Sequence, residues 1–335
     1  MTRTHRATRA LTTGAALLTG ALLLTACGSD DDTENGTAED ATTPEGEVGE
    51  VGETRTIDTV MGPVEVPADP RRVIVLDTAE LDSALTLGVT PIGSVRADVA
   101  TGFPFYLPEE RLTDVENVGN IAAPNLEAII ELEPDLIIGN MARDADRYDE
   151  LSAIAPTVFG ENPGGPWKEN FLLHAEALNR QEEAAAIVED YEERVDEVVE
   201  ALGGAEEAAD TEVSVIRFIE GGDTRLYGRE NYIGTILEDL GLGRPAIVDE
   251  APDGFAVEIS PEQVDLGDGD VIFYTSYGSA ENSGESAAVG GALWEGMDAV
   301  RENRVFAVED ELWFQGIGYT AAGIILGEIE EALAS

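Results

Sequence analysis

Short apolar runs alternate with amphipathic stretches through most of the chain. Runs rich in Val, Ile and Leu predict buried strands, and apolar residues spaced three and four apart predict helices. In the first half we expect strands over 72–76, 91–95, 135–138 and 157–159, and helices over 79–87, over 125–132 and ending near 155. After residue 210 we expect strands over 213–218, 246–248, 270–274 and 304–308, and helices over 232–240, 261–266, 294–300 and 320–333. This order indicates an α/β protein with two Rossmann-like lobes whose sheets are mostly parallel.

One long amphipathic helix is predicted between the two groups, over 182–202. Its apolar residues follow steps of four, four, three and four, and they are Ile187, Tyr191, Val195, Val198 and Leu202. Such a helix is about 30 Å long at 1.5 Å per residue, and Gly203-Gly204 ends it. We expect this single backbone helix to join the lobes, with a ligand cleft between them. Because a helix bends less than a flexible loop, we expect only limited closure around a ligand.

The first part of the chain does not share this alternation. A hairpin is predicted over 56–66, around Met61-Gly62, and the stretch before it is acidic with almost no large apolar residues, as in a disordered tether. The predicted division of the chain is therefore a signal segment over 1–26, a tether over 27–54, an N-terminal lobe over 55–178, the backbone helix over 179–203 and a C-terminal lobe over 204–335.

The signal segment begins with Arg3, Arg6 and Arg9 and continues with about fourteen mostly apolar residues over 11–24. That run is too short to span a bilayer, which takes about 20 apolar residues, and it is typical of an export signal. Its end, Leu24-Thr25-Ala26-Cys27, resembles a bacterial lipoprotein signal. The resemblance implies lipidation of Cys27 and a location at the extracytoplasmic face of the cell membrane. An unlipidated secretory signal or a short anchor is the alternative.

Composition narrows the possible chemistry. In 335 residues, 69 Asp and Glu stand against 19 Lys and Arg, giving a formal net charge of −50 that makes nucleic acid an improbable partner. Cys27 is the only cysteine, and His5 and His174 are the only histidines. Metal sites built from several thiolates or histidines are therefore excluded, and no Gly-x-Ser-x-Gly elbow accompanies His174. The dinucleotide-like pattern over 316–321 lacks the rest of a βαβ unit, so we predict no enzyme activity.

Candidate ligand contacts lie where predicted strands end at their carboxyl side, because ligands of open α/β sheets bind there. Arginine is scarce, yet it recurs beside aromatic residues at these ends. The candidate residues are Asp77, Thr78, Arg96, Asn140, Met141, Arg143, the loop 161–167, Arg217, Arg225, Tyr227, Arg229, Ser276, Tyr277, Trp313 and Phe314. Arginine donates to several oxygens at once and aromatic rings cover apolar ligand parts, so this set predicts a cleft for an oxygen-rich ligand.

Several segments together resemble the substrate-binding lipoproteins of ABC importers for iron(III)–siderophores, in particular the ferric-hydroxamate-like group of the helical-backbone class. The resemblance runs from about 55 to 334 and rests on Pro70-Arg71-Arg72-Val73-Ile74-Val75-Leu76, Ala84-Leu85-Thr86-Leu87-Gly88-Val89, Pro124-Asn125-Leu126-Glu127, Pro134-Asp135-Leu136-Ile137 and Arg225-Leu226-Tyr227-Gly228. It implies capture of a ferric siderophore and delivery to a permease driven by a cytoplasmic ATPase, and we expect the siderophore to be a hydroxamate such as a ferrioxamine. Iron stays chelated in this family, so no cofactor and no metal ligand of the protein is implied, and a monomer is expected.

The resemblance also suggests roles for individual residues. In the better-known hydroxamate binders an arginine follows a Val-Gly pair, but here Asn120-Ile121 occupies that stretch. The replacement candidates are Arg96, Arg143, Arg217 and Arg229, with Trp167, Tyr227, Tyr277 and Trp313 packing against the ligand. Glu127 is the candidate for docking to the permease on the first lobe, and Glu238 on the second. Two alternatives stay open: the same fold binding cobalamin or haem, or a surface interaction or sensor protein without transport.

Overall fold

The structure is a computed structural model, and it describes residues 52–98, 100 and 102–333. The predicted signal segment, Cys27 and nearly all of the tether lie outside these residues.

Strands and helices follow each other in the predicted order. The strands are β1 (Thr54–Thr59), β2 (Gly62–Pro67), β3 (Val73–Val75), β4 (Gly93–Arg96), β5 (Glu116–Asn120), β6 (Ala123–Pro124), β7 (Leu136–Asn140), β8 (Thr157–Gly160), β9 (Val213–Ile219), β10 (Thr224–Tyr227), β11 (Ala256–Ile259), β12 (Val271–Tyr277) and β13 (Val305–Ala307). The α-helices are α1 (Thr78–Thr86), α2 (Glu109–Leu112), α3 (Leu126–Glu131), α4 (Met141–Asp144), α5 (Tyr148–Ser152), α6 (Trp167–Leu178), α7 (Gln181–Ala201), α8 (Ala205–Asp210), α9 (Tyr232–Asp239), α10 (Glu285–Val289), α11 (Asp298–Arg301), α12 (Asp310–Trp313) and α13 (Tyr319–Leu333). Short 3₁₀ helices cover Ala145–Arg147, Ala246–Glu250, Pro252–Gly254, Pro261–Gly267 and Trp294–Gly296.

The first large sheet has six strands in the order β6-β5-β4-β3-β7-β8. Strand β5 pairs parallel with β4, β4 with β3, β3 with β7 and β7 with β8, whereas β5 and β6 pair antiparallel. Strand β3 lies in the middle and is fully buried, which explains its unbroken Val-Ile-Val sequence. The predicted hairpin is confirmed as the antiparallel pair β1 and β2, whereas β5 and β6 were not predicted, because their polar residues carry no apolar run.

The second large sheet has five strands in the order β11-β10-β9-β12-β13. Two of its strand pairs are parallel, β9 with β12 and β12 with β13. The other two are antiparallel, because β10 runs opposite to both of its neighbours, β9 and β11. Strands β10 and β11 were not predicted from the sequence. The predicted strand over 246–248 is wrong, since Ala246–Glu250 forms a 3₁₀ helix. Two connected lobes with largely parallel sheets nevertheless confirm the predicted fold class.

The predicted backbone helix is α7, with 21 residues. Its buried face includes Tyr191, Val195 and Val198, and the chain leaves it through Gly203 and Gly204, whose φ angles are 101° and 97°. Positive φ suits glycine at a helix end because no Cβ opposes it. Of the helices in the described residues, none is long and apolar enough to cross a membrane.

The two lobes are also tied together beside α7. Trp167 of α6 donates from Nε1 to Thr235 Oγ1 of α9 over 2.8 Å. Lys168 Nζ and the Tyr191 hydroxyl both donate to Asp239 Oδ2, over 2.5 and 2.6 Å. Both large sheets contribute to one continuous apolar core. These contacts add to the helical connection, and they support the expectation of limited closure.

Candidate ligand-binding site

A cavity of about 650 Å³ lies where the carboxyl ends of strands from both large sheets meet. This is the edge at which the strand ends predict a cleft. The residues that line the cavity include Asp77, Asp98, Arg143, Asn162, Arg217, Arg225, Tyr227, Glu230, Phe255, Tyr277, Trp313, Phe314 and Gln315. Thr78 Oγ1 donates to the Gln315 carbonyl over 2.5 Å, so the start of α1 and the segment after α12 meet in the cavity wall.

Arg143 forms the cationic group on the first lobe. Its Nε donates to Asp77 Oδ2 over 3.0 Å, and its side chain is 41% exposed while that of Asp77 is 2% exposed. Asp77 is fixed as the N-cap of α1, because its Oδ1 accepts from the Thr78 amide over 2.7 Å. Asn140 ends β7 and caps α4, accepting from the Arg143 amide over 3.1 Å. Two caps thus hold Arg143 at the cavity.

Arg217 is the central cation on the second lobe. It donates to both carboxylate oxygens of Asp310, from Nε over 2.6 Å and from Nη2 over 2.8 Å, and from Nη1 to the Tyr227 hydroxyl over 3.1 Å. The guanidinium carbon lies 4.9 Å from the ring centroid of Tyr277 and 4.8 Å from that of Phe314. Arginine has five N–H donors, so two of them stay free of these three bonds.

A third arginine, Arg225, lies on the antiparallel strand β10. It donates to Glu258 Oε1 from Nε and Nη2 over 3.3 and 3.2 Å and lies 5.6 Å from the ring centroid of Phe255. Phe255 is 44% exposed and joins the apolar wall with Phe314. The sequence analysis named Arg225 and Phe314 as strand-end candidates and missed Phe255. Neither strand carries a clear local signal, because Thr224–Tyr227 and Ala256–Ile259 are only four residues long and do not alternate between apolar and polar residues.

The predicted ligand-binding residues divide into two groups. Arg143, Arg217, Tyr227, Tyr277 and Trp313 line the cavity. Trp313 is 0% exposed and donates to Glu328 Oε2 over 2.6 Å, so it supports the wall rather than offering a surface to a ligand.

Arg96, Trp167 and Arg229 are not among the lining residues. Arg96 stacks on Phe103, with its guanidinium carbon 4.5 Å from the ring centroid. Trp167 is 3% exposed within the aromatic contacts between α6 and the second lobe. Arg229 pairs with Asp249 over 2.8 Å. In each case a partner elsewhere in the fold, absent from the local sequence, holds the side chain away from the cavity.

Two motifs that could suggest other chemistry have structural explanations. His174 is 2% exposed, neither of its ring nitrogens has a hydrogen-bond partner among the described residues, and burial lowers its pKa to about 3, so the imidazole is neutral. A Cβ on Gly318 would fall 2.2 Å from Asp82 Oδ1, and the amides of Thr320 and Ala321 donate to the Asp82 carboxylate. That carboxylate occupies the helix N-terminus that a phosphate would need. Within the described residues, no group of three or more His, Cys, Asp and Glu side chains is arranged to hold a metal ion.

The two candidate docking residues are both exposed. Glu127 lies in the first turn of α3, where its amide donates to the side chain of the N-cap Asn125 over 3.1 Å. Glu238 lies near the end of α9, whose first residues line the cavity. Nothing in the cavity geometry depends on either carboxylate.

The two lobes and the cavity between their strand ends define a ligand-binding protein of the two-lobed type. The chain belongs to the periplasmic binding protein family, whose sequence profile matches residues 73–312. This confirms the family predicted from the sequence, and because its members are substrate-binding transport proteins, the chain is not an enzyme.

Relatives with known structures or names are similar over most of the chain. YfiY of Bacillus subtilis (strain 168), a probable siderophore-binding lipoprotein, is 36% identical over 288 residues, 83% of this chain and 87% of that protein. SirA of Staphylococcus aureus, in its crystal structure with staphyloferrin B, matches at a TM-score of 0.75 and 30% identity over 84% of this chain and 98% of that one. FeuA of Bacillus subtilis is a triscatecholate siderophore binding protein crystallised with ferri-bacillibactin. It matches at a TM-score of 0.69 and 25% identity over 83% of this chain and 98% of that one.

Proposed function

We propose that this chain captures a ferric siderophore in the cavity between its lobes and delivers it to the permease of an ABC importer. The observation that carries the proposal is the combination of Arg143, Arg217 and Arg225 with the rings of Phe255 and Phe314 in one cavity of about 650 Å³. Guanidinium groups donate to chelating oxygens, and the aromatic rings cover the apolar linkers of a chelate. The ferric siderophore is the transported cargo, in which iron stays coordinated by the chelator.

The charge balance of the cavity favours a chelate of low net charge. Each lining arginine is paired with a carboxylate: Arg143 with Asp77, Arg217 with Asp310 and Arg225 with Glu258. Asp98 and Glu230 add further negative charge to the lining. A triply anionic tris-catecholate would enter this environment without a compensating positive charge. A ferric tris-hydroxamate is neutral, or cationic when it carries an amine, so we assign the hydroxamate class.

A second candidate ligand is a chelate of the staphyloferrin B kind. The match to SirA with staphyloferrin B, at 30% identity and a TM-score of 0.75, favours it. Such a ligand would need the guanidinium groups to exchange their carboxylate partners for ligand oxygens. Haem would need an axial ligand such as a tyrosine or His174. His174 is buried away from the lining residues of the cavity, which leaves lining tyrosines such as Tyr227 and Tyr277, and the Tyr227 hydroxyl already accepts from Arg217.

The location and the partners complete the proposal. A lipid anchor at Cys27 would hold the body at the extracytoplasmic face, since each buried acyl methylene contributes about 0.8 kcal/mol to membrane binding. Exposed carboxylates at Glu127 and Glu238 would meet basic groups of the permease, whose cytoplasmic ATPase drives uptake. We expect the binding protein itself to act as a monomer, with one lobe on each side of the chelate.

The test is a titration of the purified full-length chain in detergent, followed by tryptophan fluorescence. The panel contains a neutral ferric tris-hydroxamate, a ferric tris-catecholate and ferric staphyloferrin B, with the iron-free chelators as matched controls. We expect saturable quenching at micromolar or lower concentrations, strongest with the hydroxamate. Saturation by staphyloferrin B alone would replace the hydroxamate assignment with the second candidate. If none of the three chelates changes the fluorescence or a calorimetric signal, the proposed function is wrong.

A further inference from the structure

Two buried carboxyl groups lie behind Arg143. Asp77 is 1% exposed, Glu80 is 2% exposed, and the amide of Asn140 reaches both of them. Asn140 Nδ2 lies 3.1 Å from Glu80 Oε1 and 3.4 Å from Asp77 Oδ2. Arg143 contacts only Asp77 directly, over 3.0 Å from its Nε. Glu80 Oε2 is buried and has no hydrogen-bond partner among the described residues.

These groups cannot all be charged at low cost. Two buried carboxylates would face a single guanidinium, and an unpaired charge in a buried site is expensive. Asp77 accepts hydrogen bonds from Arg143 and from the Thr78 amide, and such donors stabilise a carboxylate. Among the described residues, the side-chain donor to Glu80 is the amide of Asn140, which reaches Oε1, and the backbone amide of Glu80 itself contributes less. The proton therefore belongs on Glu80, and in agreement with this, burial and then the charge of Asp77 raise the pKa of Glu80 to about 8.

We propose that Glu80 is a positioning residue for ligand binding: its neutral carboxyl group lets Asp77 alone hold Arg143 at the cavity, and its ionisation weakens the contact between Arg143 and the ligand. This inference rests on the proposed function. Ionised Glu80 would place a second negative charge behind Asp77 and would compete for the single amide of Asn140. Arg143 would then be drawn toward both carboxylates and away from the oxygens of the chelate. Neither Glu80 nor Asn140 is a lining residue of the cavity, so both act through Arg143.

Other charged groups around α1 are already engaged. The groups that act electrostatically on Glu80 are Asp77 and Arg143. Further charged or titratable groups lie on α1 and on β4, α4, α6 and α13. They include Asp82 with the α13 amides, Arg96 over Phe103, the neutral His174, Lys168 with Asp239, Glu328 with Trp313 and Glu330 with Arg194. Asp144 pairs with Arg147 and also acts electrostatically on Arg143, and Glu331 of α13 is exposed. Glu169 and Glu176 of α6 are exposed.

The first experiment measures affinity against pH for the wild type and for Glu80→Gln. The full-length chain is titrated with a cyclic ferric tris-hydroxamate that has no ionisable amine, between pH 6.5 and 9.5, so that any pH dependence belongs to the protein. We expect the wild-type affinity to fall by about threefold to tenfold as pH rises through 8, because a buried charge acts on its neighbours at reduced dielectric screening. Glu80→Gln is a permanent mimic of the neutral acid, and its affinity should stay constant over the range. Glu110→Gln, at an exposed position on α2, should follow the wild type.

The second experiment needs no ligand. The folded-state pKa of Glu80 lies above its usual value, so the unfolded chain releases the proton first and stability falls with rising pH until the folded chain releases it too. The unfolding free energy of the wild type relative to Glu80→Gln should therefore fall from pH 5 to 8 and become constant above that range. A constant difference across the whole range would overturn the inference.

The outcomes separate this inference from the proposed function. Binding with no pH dependence in the wild type, or the same pH dependence in Glu80→Gln, overturns the role of Glu80 and leaves the proposed function intact. A chain that binds no ferric chelate at any pH overturns both. A purely structural role for Glu80 would alter the stability of the variant without moving the pH profile of affinity.

Discussion

Arg217 and Asp310 form a two-pronged ion pair in the wall of the cavity, although 93 residues separate them in the chain. The Nε–Oδ1 distance is 2.6 Å and the Nη2–Oδ2 distance is 2.8 Å, with the two side chains 12% and 11% exposed. Strand β9 supplies the arginine and α12 supplies the aspartate. The pair holds the guanidinium carbon 4.9 and 4.8 Å from the ring centroids of Tyr277 and Phe314, and at the same time it balances the charge of Arg217.

Asp310→Asn should change ligand preference as well as stability. The substitution leaves the Arg217 charge without its carboxylate, so the free energy of unfolding should fall by about 3 kcal/mol. It also adds one positive charge to the cavity wall. The ratio of affinities for a ferric tris-catecholate and a neutral tris-hydroxamate should therefore rise by about tenfold. Fluorescence titration and chemical denaturation check both effects.

Glu302→Gln, on the exposed surface after α11, is the control for Asp310→Asn because it makes the same change of charge away from the cavity. The ratio of affinities for the two chelates in this control should equal that of the wild type. If both variants shift the preference equally, net charge rather than the pair with Arg217 sets ligand choice, and the charge-balance argument fails.

His174→Leu should remove an acid sensitivity of the fold. Burial lowers the pKa of His174 to about 3. Between pH 6.5 and 3 the unfolded chain therefore binds a proton at this histidine and the folded chain does not. This favours unfolding, and the wild type should lose up to about 5 kcal/mol relative to the leucine variant as pH falls from 6.5 to 3. Near pH 7.5 the variant should be at least as stable, because both ring nitrogens lack partners in the wild type. Urea denaturation at a series of pH values measures the difference, and a pH-independent difference would contradict the assignment.

Replacing Glu127 and Glu238 with alanine should separate uptake from binding. Both carboxylates are exposed and neither lines the cavity, so ligand affinity should stay within the error of the wild type. Loss of two ion pairs to the permease should lower uptake of labelled ferric siderophore by about tenfold or more in a deletion strain. Glu206→Ala is the control, since α8 lies at the amino end of β9, opposite the cavity. Normal uptake by the double variant would remove these two residues from the docking surface.

Cys27→Ala should release the chain from the membrane fraction. Without a thiol at position 27 no acyl chain can be attached there, and within residues 52–98, 100 and 102–333 no helix is long and apolar enough to span a bilayer in its place. Immunoblots of membrane and soluble fractions make the comparison, with total expression as the reference. Membrane levels equal to those of the wild type would show that lipidation at this cysteine is not the anchor.

Most of the secondary structure could be predicted because its signals are local. The long helix was predicted over 182–202 and lies at Gln181–Ala201, since its apolar stripe and the glycine pair that follows are both short-range features. Strands β3, β7, β9 and β12 are built around short apolar runs, such as Val73–Val75 in β3, and were predicted within a few residues of their ends. The missed strands β5, β6, β10 and β11 are short and have neither an apolar run nor a regular alternation, and they depend on a neighbouring strand for their conformation.

The cavity itself was predictable only in outline. The strand-end rule led to Arg143, Arg217 and Tyr277, which do line it, and equally to Arg96 and Arg229, which do not. The local sequence around these arginines does not distinguish the two groups. The contacts of the side chains distinguish the two groups, because Arg96 stacks on Phe103 and Arg229 pairs with Asp249.

The sequence by itself determined the order of strands and helices, the two-lobed class, the scarcity of metal-binding side chains and the family, because hydrophobic periodicity and residue counts are properties of the chain alone. Only the tertiary structure decided which arginines face the ligand, which carboxylates neutralise them, and that a buried Glu80 lies behind Arg143. Side-chain charge and direction depend on partners that are distant in sequence, and folding alone brings those partners within hydrogen-bond distance.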